Sequence, residues 1–371
     1  MNSVLTSRFL SRSTTRSGER LEIIECLRGL AAVAVMWFHF TYQDGIFAGV
    51  NGPGEWIGAK GWLGVEVFFV ISGFILPYSM FRSRYLLRDC FTFVAKRIIR
   101  LDPPYLAAIL LALGIWHLFE IGPYFHGDTS FAFEMPRFLC HLGYLNAIVG
   151  HPWYIPVFWT LAIEFQYYLF LALTFPLLVH KQSAVRNGFP ILLAICALQF
   201  PVSFPLTQNN LLCSWFGLFA LGMITFQAYC QLSSSRLYLA LLALITAINL
   251  VSLGWIISLA GLVASLVISY VRIPRFAPLA FLGTISYSLY LVHLPVGVPL
   301  IRLGVLCTDS VLGRMLVLGI VIPIVLLAAH LWYRCFERPA QRWSSSLRYG
   351  VATGSKRTMH ALEPGLKSYA K

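Results

Sequence analysis

Apolar stretches of about twenty residues recur along the whole of this 371-residue chain, and that recurrence limits what it can fold into. A bilayer core offers no water to backbone amides, so only helices and closed barrels cross it, and runs of this length suit helices. Charged residues make up 12% of the chain and apolar ones 58%. Soluble domains carry about 25% charged residues, so this chain lacks the polar surface to dissolve as a globule. The expected fold class is an all-α polytopic membrane protein.

Ten spans fit the hydropathy: roughly 24–43, 61–80, 101–120, 156–179, 189–205, 211–230, 237–253, 255–271, 279–301 and 311–335. With ten spans both termini share a side. Of the 28 Lys and Arg residues, 24 fall on the side holding the termini and the loop 81–100, and only Lys60, Arg137, Arg302 and Arg314 fall opposite. By the positive-inside rule both termini are expected in the cytoplasm, and the net charge of +13 needs no nucleic acid to explain it. Residues 1–20 read as a basic cytoplasmic flank rather than a transit peptide, 21–340 as the membrane domain, and 341–371 as a disordered cytoplasmic tail. Eight scattered Cys give no disulfide framework and no metal-ligand spacing. The outer connection 121–155 is long and aromatic enough to pack as short interfacial helices.

Ionisable residues inside the spans cost a few kcal/mol on insertion scales and so mark function. In "RGLAAVAVMWFH", Arg28 and His39 lie eleven positions apart, within about 20° of three full turns, so both project from one helix face. They are about 16 Å apart along the axis, an interval that an extended molecule with an anionic head and a reactive end would span. In "GVEVFFVISGFIL", Glu66 lies near the outer rim, while Ser72 and Gly73 suit close helix packing. "FWTLAIEFQYYLF" carries Glu164, with Tyr167 and Tyr168 following on the same side. "ISYSLYLVHLP" aligns Ser286, Tyr290 and His293 as a polar stripe. His39, Glu66, Glu164 and His293 all count to the outer half of their spans, so they are expected to line one wet cavity with a carboxylate orienting a histidine base. Arg97 and Arg100, at i and i+3 on the cytoplasmic side, share a face fit to clamp phosphate. Glu337, between Arg334 and Arg338, reads as an inner-face ion pair.

These segments, in order over about residues 21–340, resemble acyltransferase family 3, integral-membrane acyltransferases that modify sugars and other hydroxyl acceptors. "LEIIECLRGLAAVAVMWFHF" resembles its Arg-ten-residues-His pattern, and "FVAKRIIRLDPPYL" its Arg-x-x-Arg loop. "FWTLAIEFQYYLF", "ISYSLYLVHLP" and "FERP" are similar to its later segments. In "RLDPPY" the chain departs from that pattern, with Asp102 and a second Pro where an apolar or aromatic lead-in is usual. The resemblance implies ten core helices and O-acylation of a carbohydrate from acetyl-CoA or another acyl-CoA, with no tightly bound cofactor. It also implies His39 as the catalytic histidine, and Arg28, Arg97 and Arg100 on the donor side. The expected setting is a bacterial plasma (inner) membrane, with a carbohydrate acceptor and glycan biosynthesis or export machinery as partners. A transporter or lipid-sugar flippase is the competing class, since intramembrane charge also marks permeation paths; the paired, symmetric half-helices typical of transporters are missing from the sequence.

Overall fold

The computed structural model describes residues 3–42, 46–47, 58–120, 133–199, 211–272 and 276–349, with side chains from residue 22 onward except at 119 and 120. Fourteen α-helices account for most of them. In the first part of the chain these are α1 (Ser3–Thr41), α2 (Gly64–Arg82), α3 (Cys90–Glu120), α4 (Met135–Leu142), α5 (Asn146–Val149), α6 (Trp159–Leu178) and α7 (Ser183–Ala197). The remainder are α8 (Leu212–Tyr229), α9 (Ser235–Ser252), α10 (Trp255–Tyr270), α11 (Ala277–Val292), α12 (Val298–Leu306), α13 (Val311–Trp332) and α14 (Arg338–Ser346).

Eight helical stretches among the described residues are long and apolar enough to cross a membrane. The expected spans 189–205 and 255–271 fall on α7 and α10, which have only 15 and 16 residues. At 1.5 Å per residue these reach about 23–24 Å, short of a hydrocarbon core of about 30 Å. Part of the expected span 189–205 lies outside the described residues. Large apolar side chains on α9, α10 and α13 face outward, as helices bordering lipid require.

Small residues set how closely the central helices approach. A Cβ on Gly29 of α1 would meet the backbone of Leu282 and Gly283 on α11, and one on Gly283 would meet the Glu25 backbone. Gly73 of α2 faces the Phe219 backbone of α8, and Gly222 of α8 faces the backbone of Val70 and Gly73. With no hydrophobic drive between helices in lipid, such backbone contact supplies the packing. Gly73 therefore packs as its sequence context suggested, whereas its neighbour Ser72 turns toward a cavity.

Three boundaries differ from the sequence reading. The basic flank continues α1 in helical conformation. The inner loop is helical from Cys90, so α3 runs for 31 residues through Pro103 and Pro104 without a break. The ring nitrogens there lack the N–H that carbonyls one turn earlier need. Those carbonyls belong to Ile99 and Arg100; side chains of neighbouring helices bond other carbonyls of the same stretch, the Tyr287 hydroxyl to Leu101 O at 2.9 Å and Trp332 Nε1 to Pro104 O at 3.2 Å. The tail begins later than residue 341, because α14 packs on α3. Ser344 Oγ donates to Lys96 O at 2.7 Å, and Lys96 Nζ donates to Leu347 O at 2.8 Å and lies over the Tyr349 ring. The rest of the tail, 350–371, is outside the described residues.

The described part of the connection 121–155, residues 133–155, forms the two short helices α4 and α5, and it reaches inward. Tyr144 donates to Asp102 Oδ1 at 3.0 Å and stacks on Phe165. Arg137 donates to the carbonyls of Pro152 and Trp153 and lies over the Tyr154 ring. His141 is fully buried between them. Its Nδ1–H donates to Arg137 O, and its Nε2 accepts from the Tyr154 backbone N–H. Protonating Nε2 would set two donors against each other. The His141 pKa is accordingly lowered to about 4, first by burial.

Two outcomes test this packing. Gly73→Ala, which sets a methyl against a carbonyl that cannot swing away, is expected to lose about 1–3 kcal/mol in detergent unfolding. Gly114→Ala, with open space around the added carbon, should show no loss. Below the ordinary histidine pKa of about 6.5, the unfolded loop takes up a proton that folded His141 refuses, so loop stability falls as pH falls from there toward 4. Hydrogen exchange over 135–155, corrected for its intrinsic rate, should rise on the order of tenfold between pH 7.5 and 5. His141→Asn should flatten that rise.

Candidate active site

A cavity of about 600 Å³ follows the length of α2, lined from Val65 at one end to Arg82 and Ser83 at the other. At 1.5 Å per residue that interval is about 27 Å, close to the thickness of a bilayer core. It is a slot between α2, α6 and α11, with α1 and α3 contributing its charge.

Arg28 of α1, Arg97 and Arg100 of α3 all line it. The helical entry foreseen for Arg97 and Arg100 is continuous α3, which puts both side chains on the slot side of that helix. Arg97 lies over the rings of Phe93 and Tyr168, at 5.1 and 5.7 Å. Its Nε is buried without a hydrogen-bond partner. Among the described residues, none of the three guanidiniums closes an ion pair with a carboxylate, although Glu164 and Glu337 line the same slot. The result is a buried cationic lining with donors to spare, which suits an anionic guest.

Glu337 is not an inner-face pair with Arg334 or Arg338. It is buried in the slot wall. Its Oε2 accepts from Ser288 N–H at 3.2 Å and Ser288 Oγ at 2.6 Å, and its Oε1 accepts from Gln341 Nε2 at 2.8 Å. A π-turn, Tyr333–Glu337, ends on it. A second π-turn, His293–Gly297, begins on His293. Pro339 and Pro295 each withhold an amide donor near these turns, which loosens the α-helical ladder and re-aims the adjacent side chain.

The four groups expected in one cavity divide into three places. Glu164 lies in the slot, where its Oε1 accepts from Ser72 Oγ at 2.9 Å. Glu66 is 2% exposed with Oε2 unpartnered, and it does not line the slot. His39 and His293 face each other with ring centroids 5.3 Å apart, just past the Val65 end of the slot, where Tyr290 packs on His293. Counting residues along a helix gives depth only; which way each residue faces depends on helix rotation and packing. Among the described residues, no carboxylate bonds to His39. Its Nδ1 lies 2.9 Å from Val35 O, and since a carbonyl can only accept, Nδ1 carries the proton and Nε2 keeps its lone pair. His293 is held likewise, with Nδ1–H aimed at Leu289 O and Tyr290 O and Nε2 buried without a partner.

Tyr290 stands between the slot and the histidines. Its ring lines the slot and packs on His293 at 5.8 Å. Its hydroxyl bonds with Thr160 Oγ1 at 2.6 Å and donates to Val157 O at 3.0 Å. Ser286 also lines the slot, though its Oγ donates to Gly283 O. Tyr168 faces the slot, while Tyr167 stacks on Phe219 at 4.1 Å. The sequence reading missed Glu337, Thr160, Tyr287 and Ser288 as site residues. Only Glu337 carried a signal: an acid beside a proline at the end of an apolar span needs a partner somewhere.

A family model described as "Acyltransferase domain" matches residues 21–333, which carry every one of these cavity residues except Glu337. The chain belongs to acyltransferase family 3. Two similar proteins are 27% identical to it. One, of Komagataeibacter xylinus and named as a membrane-bound transacylase (BcsY), aligns over 73% of this chain and 72% of its own. The other, of Acidianus two-tailed virus and named as an acetyltransferase (ORF330), aligns over 78% and 87%. The O-acetyltransferase OatA of Staphylococcus aureus is 24% identical over 50% of this chain, which is 30% of its own length. No solved structure matches the chain. The protein is an acyltransferase with the helices of a multi-pass membrane protein.

Glu337 and Ser288 join the last long helical stretch to α11 beside this site. Ser288→Ala and Glu337→Gln are each expected to lower stability by about 1–3 kcal/mol, because each leaves a buried group short of a partner. A double-mutant cycle in thermal unfolding should return a coupling of about 0.5–3 kcal/mol.

Proposed function

We propose that the protein is a membrane O-acyltransferase that moves an acyl group, most simply acetyl, from cytoplasmic acyl-CoA to a hydroxyl of a cell-surface carbohydrate. An exopolysaccharide, an O-antigen or a lipid-linked oligosaccharide would each serve as acceptor. The observation that carries this reading is the slot itself: narrow, bilayer-long, cationic within, and ending beside a pair of neutral-tautomer imidazoles. Acyl-CoA has the matching shape, with phosphates at one end and a thioester at the end of a long, thin arm. In this reading Arg28, Arg97 and Arg100 hold the phosphates. With both termini in the cytoplasm of a bacterial cell, the mouth at Arg82 and Ser83 opens on the cytoplasmic side of the inner membrane. His39 Nε2 takes the proton of the acceptor hydroxyl, and the Val35 carbonyl fixes its tautomer. His293 packs against His39 and limits its rotation. Acetyl-CoA is a co-substrate, and glycan assembly or export machinery supplies the acceptor.

Membranes carrying the full chain, given labelled acetyl-CoA and candidate glycans, test this. Wild type should label a glycan, and His39→Ala should lower the rate by about 10²–10⁴-fold. Arg97→Ala and Arg28→Ala should each raise the KM for the acyl donor by about tenfold or more, as loss of a charge-assisted phosphate contact does. Label transfer that survives His39→Ala would sink the base assignment. Solute flux without acylation would favour a transporter.

A further inference from the structure

The slot and the histidine pair are separate places, and the slot has a nucleophile of its own. Ser72 sits midway along α2, about 15 Å of helix from Arg82 at the mouth. Its Oγ donates to Glu164 Oε1 at 2.9 Å, and both residues line the slot. Among the aliphatic hydroxyls lining the slot, Ser72 is the one that donates to a carboxylate. Ser286 and Ser83 give their protons to backbone carbonyls, and Thr160 Oγ1 bonds with the Tyr290 hydroxyl and Val157 O. A hydroxyl whose proton already points at a carboxylate is poised to lose it on attack, which is the nucleophile–base arrangement of covalent catalysis. Arg28 and Arg97 are electrostatic neighbours of Glu164. They put positive charge beside the position where a thioester oxygen would become anionic. His39, in contrast, does not line the slot, and Tyr290 latched to Thr160 and Val157 stands in between.

We propose that Ser72 is an acyl-accepting nucleophile with Glu164 as its base, so that transfer proceeds through an acyl-serine ester within the membrane. The proposal rests on the acyl-CoA reading above. In the first half-reaction, Ser72 Oγ attacks the thioester carbonyl as Glu164 takes its proton. The C–S bond then breaks, and the leaving thiolate recovers that proton from Glu164, giving free CoA and the Ser72 ester. In the second, the acceptor hydroxyl loses its proton to a base and attacks the ester carbonyl. The C–O bond to Ser72 breaks and Ser72 Oγ is reprotonated. Donor and acceptor therefore need never occupy the slot together.

An exchange reaction separates this from direct transfer. The purified full chain is incubated with acetyl-CoA and labelled CoA, with no acceptor present. An acyl-serine returns its acetyl group to labelled CoA, so label should appear in acetyl-CoA. Ser72→Ala should lower exchange by about a hundredfold or more, and Glu164→Gln by a comparable factor. Binding of unreactive CoA to Ser72→Ala, read by thermal shift, shows that this variant is folded. Acid-quenched wild type should carry an acetyl group on the peptide containing Ser72. In Ser72→Cys the trapped group should become labile to neutral hydroxylamine, as a thioester is and an oxygen ester is not. Glycan acylation without CoA exchange, or exchange that survives Ser72→Ala, would overturn the acyl-serine and leave the acyltransferase reading standing. Absence of CoA binding and of glycan acylation together would overturn both.

Discussion

Three guanidiniums sit inside one slot within a bundle of apolar helices, with a fourth, Arg82, at its mouth, and much of the interior is arranged around that placement. Like charges at membrane depth repel one another and are costly to strip of water, so they persist only beside water, π-faces, carboxylates or a guest. The π-faces and the carboxylates can be read from the side chains. Phe93 and Tyr168 lie beneath Arg97. Glu164 and Glu337 stand in the same walls, and three donors hold the Glu337 carboxyl in position. The slot could not exist without helices that approach closely elsewhere. The Gly29–Gly283 and Gly73–Gly222 crossings draw α1 to α11 and α2 to α8, leaving the intervening wall open.

Backbone carbonyls do as much chemical positioning here as acidic side chains. His39, His141 and His293 each present Nδ1 to a carbonyl of their own helix, which fixes the tautomer and leaves Nε2 as the outward lone pair. In a low-dielectric interior this avoids introducing a further charge beside the imidazole. At His141 the outward nitrogen accepts an amide and serves only packing. At His293 it has no partner. One local motif thus gives a structural histidine in the 133–155 connection and a pair of poised ones beside the slot.

The helical character, the membrane setting and the family were legible in the sequence. Length and apolar content dictate helices wherever the backbone must satisfy itself, and the Arg28–His39 spacing follows from helical geometry alone. Both residues do turn toward the helix that carries Ser286, Tyr290 and His293. The lengths of α7 and α10 were not legible, because hydropathy windows blur a short apolar helix into its loop. The shared outer cavity was not legible either. Glu66, Glu164 and the histidines have similar depths but different azimuths, and only helix packing assigns those.

The sequence by itself determined which residues carry charge into the membrane and at what spacing, because a helix has a fixed rise and turn. Only the tertiary structure decided their company: Glu164 with Ser72 and the arginines, Glu337 in the slot wall, His39 with His293, and Glu66 apart. The physical reason is that neighbours across helices depend on rotation, tilt and closeness of approach. Those are set by backbone contacts at a few glycines far apart in the chain, and no local pattern records which glycine meets which helix.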